Sequence, residues 1–203
     1  MTTIRCHAIG QIRAICFCLA SLSLLLTGCD ISLQGIRGSG IKMSETREID
    51  EFDRIHVDGM GTVNVEFGDK PSLQVTGDDN LLEFVETQVV EGVLKISLRE
   101  NINPVTKLTF DVVATKLEAA EIDGAAKLFI RSAKLDDLQL IVDGAGEITA
   151  DGTTESLDIE VSGAASIDTN ELLAKSVKIS ISGAANANIY ASETLDATIS
   201  GAE

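Results

Sequence analysis

The 203-residue sequence contains no tryptophan, one tyrosine and two prolines, and aromatic residues make up only 3% of it. Flat stacking surfaces for sugar rings or nucleobases are therefore scarce. After residue 28 the chain also has a single cysteine, Cys29, and a single histidine, His56. The sequence has too few soft ligands for a zinc site built from cysteine and histidine.

Residues 1–28 have the features of a secretory signal peptide. Arg5 and Arg13 stand at the start, an apolar stretch covers residues 14–26, and no acidic residue precedes Asp30. Thirteen apolar residues are too few to cross a hydrocarbon core of about 30 Å, which needs about 20. No later apolar run is long enough either. We predict that residues 1–28 direct export and are then removed.

Cys29 is the predicted lipidation site. The sequence Leu26-Thr27-Gly28-Cys29 resembles the lipobox read by the lipoprotein signal peptidase. Its small side chains let the peptidase approach the bond, and the thiol accepts diacylglycerol. Burial stabilises by about 0.8 kcal/mol per methylene, so two or three chains such as palmitate hold a protein to a membrane permanently. With Cys29 lipidated, no free thiol remains for a disulfide, a zinc site or nucleophilic catalysis.

Asp30 directly follows the predicted lipidation site. In enteric-type bacteria, an aspartate there resembles the signal that retains lipoproteins in the inner membrane. The sequence therefore predicts a lipid-anchored protein of the cell envelope. The choice between inner and outer membrane stays open, and Asp30 favours the inner one where enteric sorting rules apply.

Acidic residues dominate the exported part of the chain. Without Arg5 and Arg13, it has 14 basic against 32 acidic residues and a net charge of −18. That charge argues against nucleic acid as a partner. It also repels anionic membrane surfaces unless divalent cations bridge them. The partners we expect are the membrane, through lipid on Cys29, and an envelope protein or a glycan.

Composition divides the exported chain in two. Residues 29–48 are polar and rich in glycine and serine, which predicts a flexible tether after the lipidated cysteine. Residues 49–203 alternate apolar and polar side chains with period two, the strand signature, and suit one domain.

The main feature of this domain is an internal repeat. A Ser-Gly or Asp-Gly pair recurs at nearly even spacing, with its glycine at Gly124, Gly144, Gly163, Gly183 and Gly201. Strand-like alternation at such a period predicts a stacked all-β architecture, a β-solenoid with coils of about 20 residues. Apolar residues should then form inward columns, one of them running through Leu128, Ile148, Ile167 and Ala187.

The repeat is less regular before residue 117. An earlier copy is visible around Asp58 and Gly59, but the period is then lost and we expect hairpin strands, with a turn at Glu91-Gly92. Glu118 occupies an inward position, which a bulge between Leu117 and Ile122 would resolve. The sequence stops inside its last corner, so we expect either a covering partner or a truncated product that lacks a closing strand.

These residues together resemble a known family. Glu51-Phe52-Asp53-Arg54-Ile55 opens the domain, Gly77-Asp78-Asp79-Asn80-Leu81-Leu82 follows, and Ser-Gly-Ala-Ala corners repeat after it. The pattern is similar to the family described as putative auto-transporter adhesin, head GIN domain, over residues 48–203. The resemblance implies a right-handed β-helix-like fold on an envelope protein, no established enzyme activity, and a closing strand that this sequence does not contain.

The corner aspartates Asp58, Asp123 and Asp143 are the sharpest candidate site. On neighbouring coils their carboxylates would lie about 5 Å apart, close enough to share a calcium ion or a proton. The alternative, which we favour, is that aspartate and serine hydrogen-bond the corner backbone, as they do in many turns. His56 is interpreted as a surface histidine.

No catalytic constellation or cofactor motif is found in the sequence. We predict a non-catalytic, adhesin-like β-solenoid that serves as a binding or structural module, with no cofactor. Two alternatives remain open: an enzyme that acts on polysaccharide, and an envelope assembly or stress-sensing factor.

Overall fold

The computed structural model describes residues 35–201. Strands dominate this range, and its single helical element is a 3₁₀ turn at Leu82–Phe84. The strands are β1 (Ile36–Arg37), β2 (Lys42–Arg47), β3 (Arg54–Phe67), β4 (Ser72–Asp78), β5 (Val85–Val90), β6 (Val93–Leu98), β7 (Ile102–Asn103), β8 (Thr109–Ala114), β9 (Ala119–Gly144), β10 (Glu147–Gly163), β11 (Ser166–Gly183) and β12 (Asn186–Ser200). The predicted all-β class is confirmed. Between residues 35 and 201, no helix has the length and apolarity to cross a membrane.

The predicted repeats lie side by side as parallel strands. We call β3, β9, β10, β11 and β12 the repeat stack. In it, Gly59 aligns with Gly124, and Gly163 aligns with Gly144 on one side and Gly183 on the other. The earlier copy of the repeat at Gly59 is therefore confirmed as part of the stack. The chain between β3 and β9 forms an insertion into the repeats.

Inward columns of apolar side chains form the core of the stack. Val161 lies between Val142 and Ile181 in the register, and all three side chains are buried. Burying a side chain of this size contributes about 1.5–3 kcal/mol. The predicted column through Leu128, Ile148 and Ile167 is confirmed, but Ala187 is exposed because β12 is the edge strand of the sheet.

The corner glycines bring successive repeats into direct backbone contact. Gly124 has a φ of 122° and Gly163 a φ of 131°, values that other residues rarely adopt. A Cβ on Gly124 would lie 2.6 Å from the carbonyl oxygen of Gly59, and one on Gly163 would collide with that of Gly144. Glycine is thus required at these corners both by the backbone angle and by the lack of space.

Strand β2 and the insertion between β3 and β9 supply the other half of the sheet. Strands β5 and β6 form an antiparallel hairpin, and its turn residues Glu91 and Gly92 have φ values of 52° and 78°. Two positive φ values are typical of a type I′ turn, so the predicted hairpin is confirmed. Strand β8 pairs in parallel with β3, β4 pairs antiparallel with β8, and β2 pairs antiparallel with β4.

The predicted irregularity before β9 is present. The backbone N–H groups of Glu118 and Ala119 both point to the carbonyl oxygen of Asp53, at 2.7 and 3.4 Å. Two residues facing one is the pattern of a β-bulge. As a result Glu118 is exposed, while Leu117 and Ala120 are both buried.

The predicted flexible tether is wrong for residues 36–47, which belong to the fold. Lys42–Arg47 pairs with β4, and Ile36 and Arg37 pair with β7. Gly38 is buried, and a Cβ there would collide with the carboxylate of Asp78. Glycine here permits close packing and does not give flexibility. The folded domain therefore begins before residue 49.

Replacing Gly163 by alanine tests the close approach at the corners. We expect Gly163→Ala to lower the free energy of unfolding by about 1–3 kcal/mol, because it combines an unfavourable φ with a backbone clash. Urea unfolding followed by far-UV circular dichroism measures the change. The control is Ala164→Ser at the next, exposed corner position. Equal stability of the two variants would contradict this account of the corner.

Candidate binding surface

The predicted lipidation and sorting residues, Cys29 and Asp30, lie outside the described residues. Their roles stay predictions.

The corner aspartates are neighbours in the stack, as the repeat predicts. Asp58 and Asp123 are paired residues on β3 and β9, and Asp143 aligns with Ser162. All three aspartates are exposed. Backbone bonds close the corner itself, since Ala164 donates to the Gly144 carbonyl at 2.7 Å. Within residues 35–201 no group of three histidine, cysteine, aspartate or glutamate side chains is placed to hold a metal ion, so the aspartates form an open row of charges.

A wide concavity lies on one side of the stack. This groove has a volume of about 1060 Å³ and is bounded by strands β3, β6, β9 and β10 and by the segment that leads into β9. Its lining contains no phenylalanine, tyrosine or tryptophan. Its ionisable residues are Arg54, His56, Lys95, Lys116, Glu118, Glu121, Lys134, Asp136, Asp137 and Asp158.

The groove combines four basic side chains with five acidic ones, and only some of the basic groups are paired. Lys116 donates to Asp53 at 3.0 Å and lies 3.7 Å from Glu118. The hydrogen bond to Asp53 and the negative charge of that carboxylate raise the pKa of Lys116. The ammonium group of Lys116 is therefore already engaged in an ion pair. Lys95 and Lys134 have no ion pair within 4 Å among residues 35–201. These two ammonium groups are free to meet a ligand.

His56 and Asp158 contribute unpaired polar atoms to the same groove. His56 lies on β3 between Lys95 on β6 and Glu121 on β9. Its Nε2 atom and Oδ1 of Asp158 are inaccessible to solvent and have no hydrogen-bond partner within residues 35–201. A buried polar atom without a partner costs stability. The interpretation of His56 as a plain surface residue is therefore incomplete, because the ring is only partly exposed.

Asp78 is the most enclosed charged residue of the described range, with a relative exposure of 0%. Its carboxylate accepts hydrogen bonds from the backbone N–H groups of Gly40 at 2.8 Å, Val105 at 2.8 Å and Thr106 at 3.0 Å. Burial raises the pKa of the Asp78 carboxyl. The hydrogen bonds from Thr106, Val105 and Gly40 outweigh that effect and leave the pKa below its ordinary value.

The neighbours of Asp78 extend this contact. Asn80 accepts from the N–H of Ser39 at 2.8 Å and donates to the carbonyl of Arg37 at 3.0 Å, while Ser39 donates to Asp79 at 2.5 Å. We call the contacts of residues 78–80 with 37–41 and 105–106 the Asp78 clasp. It fastens the chain just after the predicted lipidation site to the rest of the domain. Nothing in the local sequence Gly77-Asp78-Asp79-Asn80 predicts this role, because the partners of Asp78 lie 27 to 38 residues away along the chain.

Comparison with known proteins supports the fold. The family model described as putative auto-transporter adhesin, head GIN domain, matches residues 51–202. No curated protein matches the chain. A solved structure described as a putative adhesin from Bacteroides fragilis NCTC 9343 is 15% identical, with a TM-score of 0.59, over 82% of this chain and 99% of that one.

A second solved structure, described as a putative adhesin from Parabacteroides distasonis ATCC 8503, is 22% identical with a TM-score of 0.55. The match covers 82% of this chain and 81% of that one. At these identities the two likenesses show a shared fold, and they carry no residue roles over to this chain.

The Asp78→Asn variant tests the clasp. Asparagine keeps the shape but loses the negative charge, and its amide nitrogen cannot accept a hydrogen bond. We expect the amide protons of Gly40, Val105 and Thr106 to exchange about tenfold faster, while amides in the repeat stack keep their rates. Hydrogen exchange followed by NMR measures this. Equal acceleration throughout the stack would show that Asp78 supports the whole fold and not the clasp alone.

The depressed pKa of Asp78 also predicts a pH dependence. A carboxyl whose pKa is lower in the folded state stabilises that state above its unfolded pKa, near 4, and loses the effect as pH falls through the folded value. Protection factors at Gly40, Val105 and Thr106 should therefore fall below about pH 4. Asp78→Asn serves as the control and should show no such fall. Parallel profiles for the two proteins would contradict the role of this carboxylate.

Proposed function

This chain belongs to the family described as putative auto-transporter adhesin, head GIN domain, and from that premise we propose that it is a lipid-anchored envelope protein with a non-catalytic binding module. In this proposal residues 1–28 are removed, Cys29 carries the lipid, and the domain from Gly35 onward binds an extended polar partner. The observation that carries the proposal is the groove with its free Lys95 and Lys134.

The finer fold that we propose is a right-handed β-helix-like solenoid. Its support is the parallel, in-register pairing of segments that recur at nearly even spacing along the chain. Each segment must cross over to lie beside the previous one in the same direction, and such crossovers are right-handed in most proteins. A solenoid presents long faces on which equivalent positions repeat about every 4.8 Å. Such a face suits a partner that is itself extended.

The two unpaired lysines of the groove favour a polar partner with negative groups. Lys95 and Lys134 both line the groove and have no ion pair within 4 Å among the described residues. A carboxylated or sulfated glycan would supply both the charge and the hydrogen-bond acceptors. The lack of aromatic residues in the lining disfavours the stacking by which neutral sugars are usually held.

Binding without catalysis is the role we propose for this groove. The solved relatives are described as putative adhesins, which is consistent with a binding role here. Asp123 and Asp143, which would be the acid–base pair if the domain were an enzyme, lie at the exposed corner and are not part of the groove lining. Acid–base catalysis needs its groups within hydrogen-bonding reach of the bound substrate.

Cys29→Ser tests the proposed lipid anchor. Without the thiol, diacylglycerol cannot be added, so the precursor should keep residues 1–28 and gain no acyl mass. Intact-mass spectrometry of membrane fractions distinguishes the two forms. As a matched control, Thr27→Ser keeps a small residue before the cleavage site and should mature normally. A mature Cys29→Ser protein that starts elsewhere and remains soluble would contradict the lipobox assignment.

Asp30→Ser tests the sorting prediction in the same fractions. If Asp30 is a retention signal in the host, the wild-type lipoprotein should lie in the inner membrane and Asp30→Ser in the outer. The two membranes are separated on a sucrose gradient. An unchanged distribution would remove Asp30 from the proposal and leave the Cys29 anchor in place.

Lys134→Glu tests the groove. We expect the full-length lipoprotein to bind acidic glycans on an array, and Lys134→Glu to weaken that binding about tenfold by replacing attraction with repulsion. Lys70→Glu, at an exposed site outside the groove, makes the same charge change and should bind as the wild type does. An equal loss of glycan binding in both variants would show that only the net charge of the protein matters, and it would contradict a specific binding site in the groove.

A reducing-sugar assay on the bound glycans completes this test. No release of sugar ends is expected. Release of sugar ends that is abolished by Asp123→Asn or Asp143→Asn would show that the domain is an enzyme and would overturn the proposed binding role. Capture of a single stoichiometric envelope protein, with no glycan bound, would favour an assembly factor.

A further inference from the structure

Exposed apolar side chains gather around the Asp78 clasp. Ile41 is 62% exposed, Val105 58%, Met43 50% and Ile36 37%. Val105 packs over Gly40, where its Cγ1 would lie 3.6 Å from an added Cβ, and the Asp78 carboxylate binds the N–H groups of both residues. We call Ile36, Ile41, Met43 and Val105 the clasp pole. Four exposed apolar side chains on one end of a highly charged protein are a marker of an interaction surface.

The clasp pole lies close to the proposed lipid anchor along the chain. Six residues lead from Cys29 to Gly35, where the described fold begins, and a fully extended chain of that length spans at most about 21 Å. A lipid on Cys29 would therefore hold this end of the domain within reach of the headgroups.

The sheet order orients the rest of the molecule. Strand β2, which follows Ile41, forms one edge of the sheet, and β12 forms the other. Strand β9 contributes two coils, with corners at Gly124 and Gly144, so the corners from Gly59 on β3 to Gly201 after β12 are separated by five strand spacings of about 4.8 Å, or about 24 Å. With the clasp pole on the membrane, the repeat stack and its groove project away from the surface toward a partner.

The net charge near the clasp pole also repels an anionic membrane less than the net charge of the whole domain does. Arg37, Lys42 and Lys107 adjoin the apolar residues and are exposed, and Asp79 and Glu100 stand beside them. The local balance is close to neutral, whereas the exported chain carries −18. Basic residues next to exposed apolar ones are the usual chemistry of surfaces that rest on anionic bilayers.

We propose that the clasp pole is the membrane-contacting surface of the anchored domain, with Ile41, Met43 and Val105 entering the boundary between headgroups and acyl chains. This inference rests on the lipid anchor of the proposed function. The Asp78 clasp then has a mechanical role, since it holds the apolar residues of segments 36–43 and 105–106 together on one surface. The bilayer is the occupant that both the anchor and the local chemistry indicate.

Tryptophan reporters test this proposal, because the sequence has no tryptophan of its own. Full-length lipidated protein with Ile41→Trp or Val105→Trp is reconstituted into phosphatidylethanolamine–phosphatidylglycerol vesicles. The matched control is Leu173→Trp, an exposed apolar site on β11 with 52% exposure. Emission from positions 41 and 105 should shift to the blue, and brominated lipid should quench it at least about twofold more than emission from position 173.

The outcomes separate the two proposals. If the protein floats with the vesicles but all three reporters are equally accessible to aqueous acrylamide, the pole proposal is overturned and the lipid anchor stands. If the wild-type protein does not float, the anchor fails and the pole proposal fails with it. If the reporters at 41 and 105 are shielded in detergent-free solution without vesicles, the pole is an interface between protein copies and the proposal is overturned.

Discussion

The close approach of one corner glycine to the next is the constraint on which the repeat stack depends. A side chain at Gly124 would meet the carbonyl of Gly59 at 2.6 Å, and its φ of 122° excludes most other residues. Once the glycines are aligned, each neighbouring pair of strands can adopt only one register. The inward columns then follow, because a slip by one residue would turn every apolar side chain outward. The alignment of the corner glycines and the burial of the apolar columns therefore require the same strand register.

The fixed register also decides what the outer faces can do. Equivalent positions lie in rows, so Asp58 and Asp123 become neighbours and the cations Lys95 and Lys134 come to line the same groove. The insertion between β3 and β9 breaks the row pattern and supplies Lys95. In the proposed function, the specificity of binding thus depends on the insertion between β3 and β9, while the repeats provide a stiff and extended support. The Asp78 clasp extends that stiffness to the segment that follows the proposed anchor.

Sequence reasoning succeeded where a local pattern has a single physical explanation. The spacing of the corner glycines predicted the parallel register, and Glu91-Gly92 predicted a hairpin. It failed at residues 36–47, because buried glycines that permit close packing have the same composition as those of a flexible linker. Gly38 lies against Asp78, which is distant along the chain, and nothing local indicates that contact. The sequence did not predict the groove for the same reason, since its two unpaired lysines come from β6 and β9 and lie together only after folding.

The in-register stacking at the corners is tested most directly by cysteine crosslinking. Ser162 and Ser182 are paired outward positions on β10 and β11, and adjacent strands bring such Cα atoms to about 4.8 Å, within the range that a disulfide spans. The account predicts that Ser162→Cys/Ser182→Cys oxidises readily, while Ser162→Cys/Ser180→Cys, which is two residues out of register, does not. Preferential crosslinking of the second pair would show a different register and contradict the glycine-aligned stack.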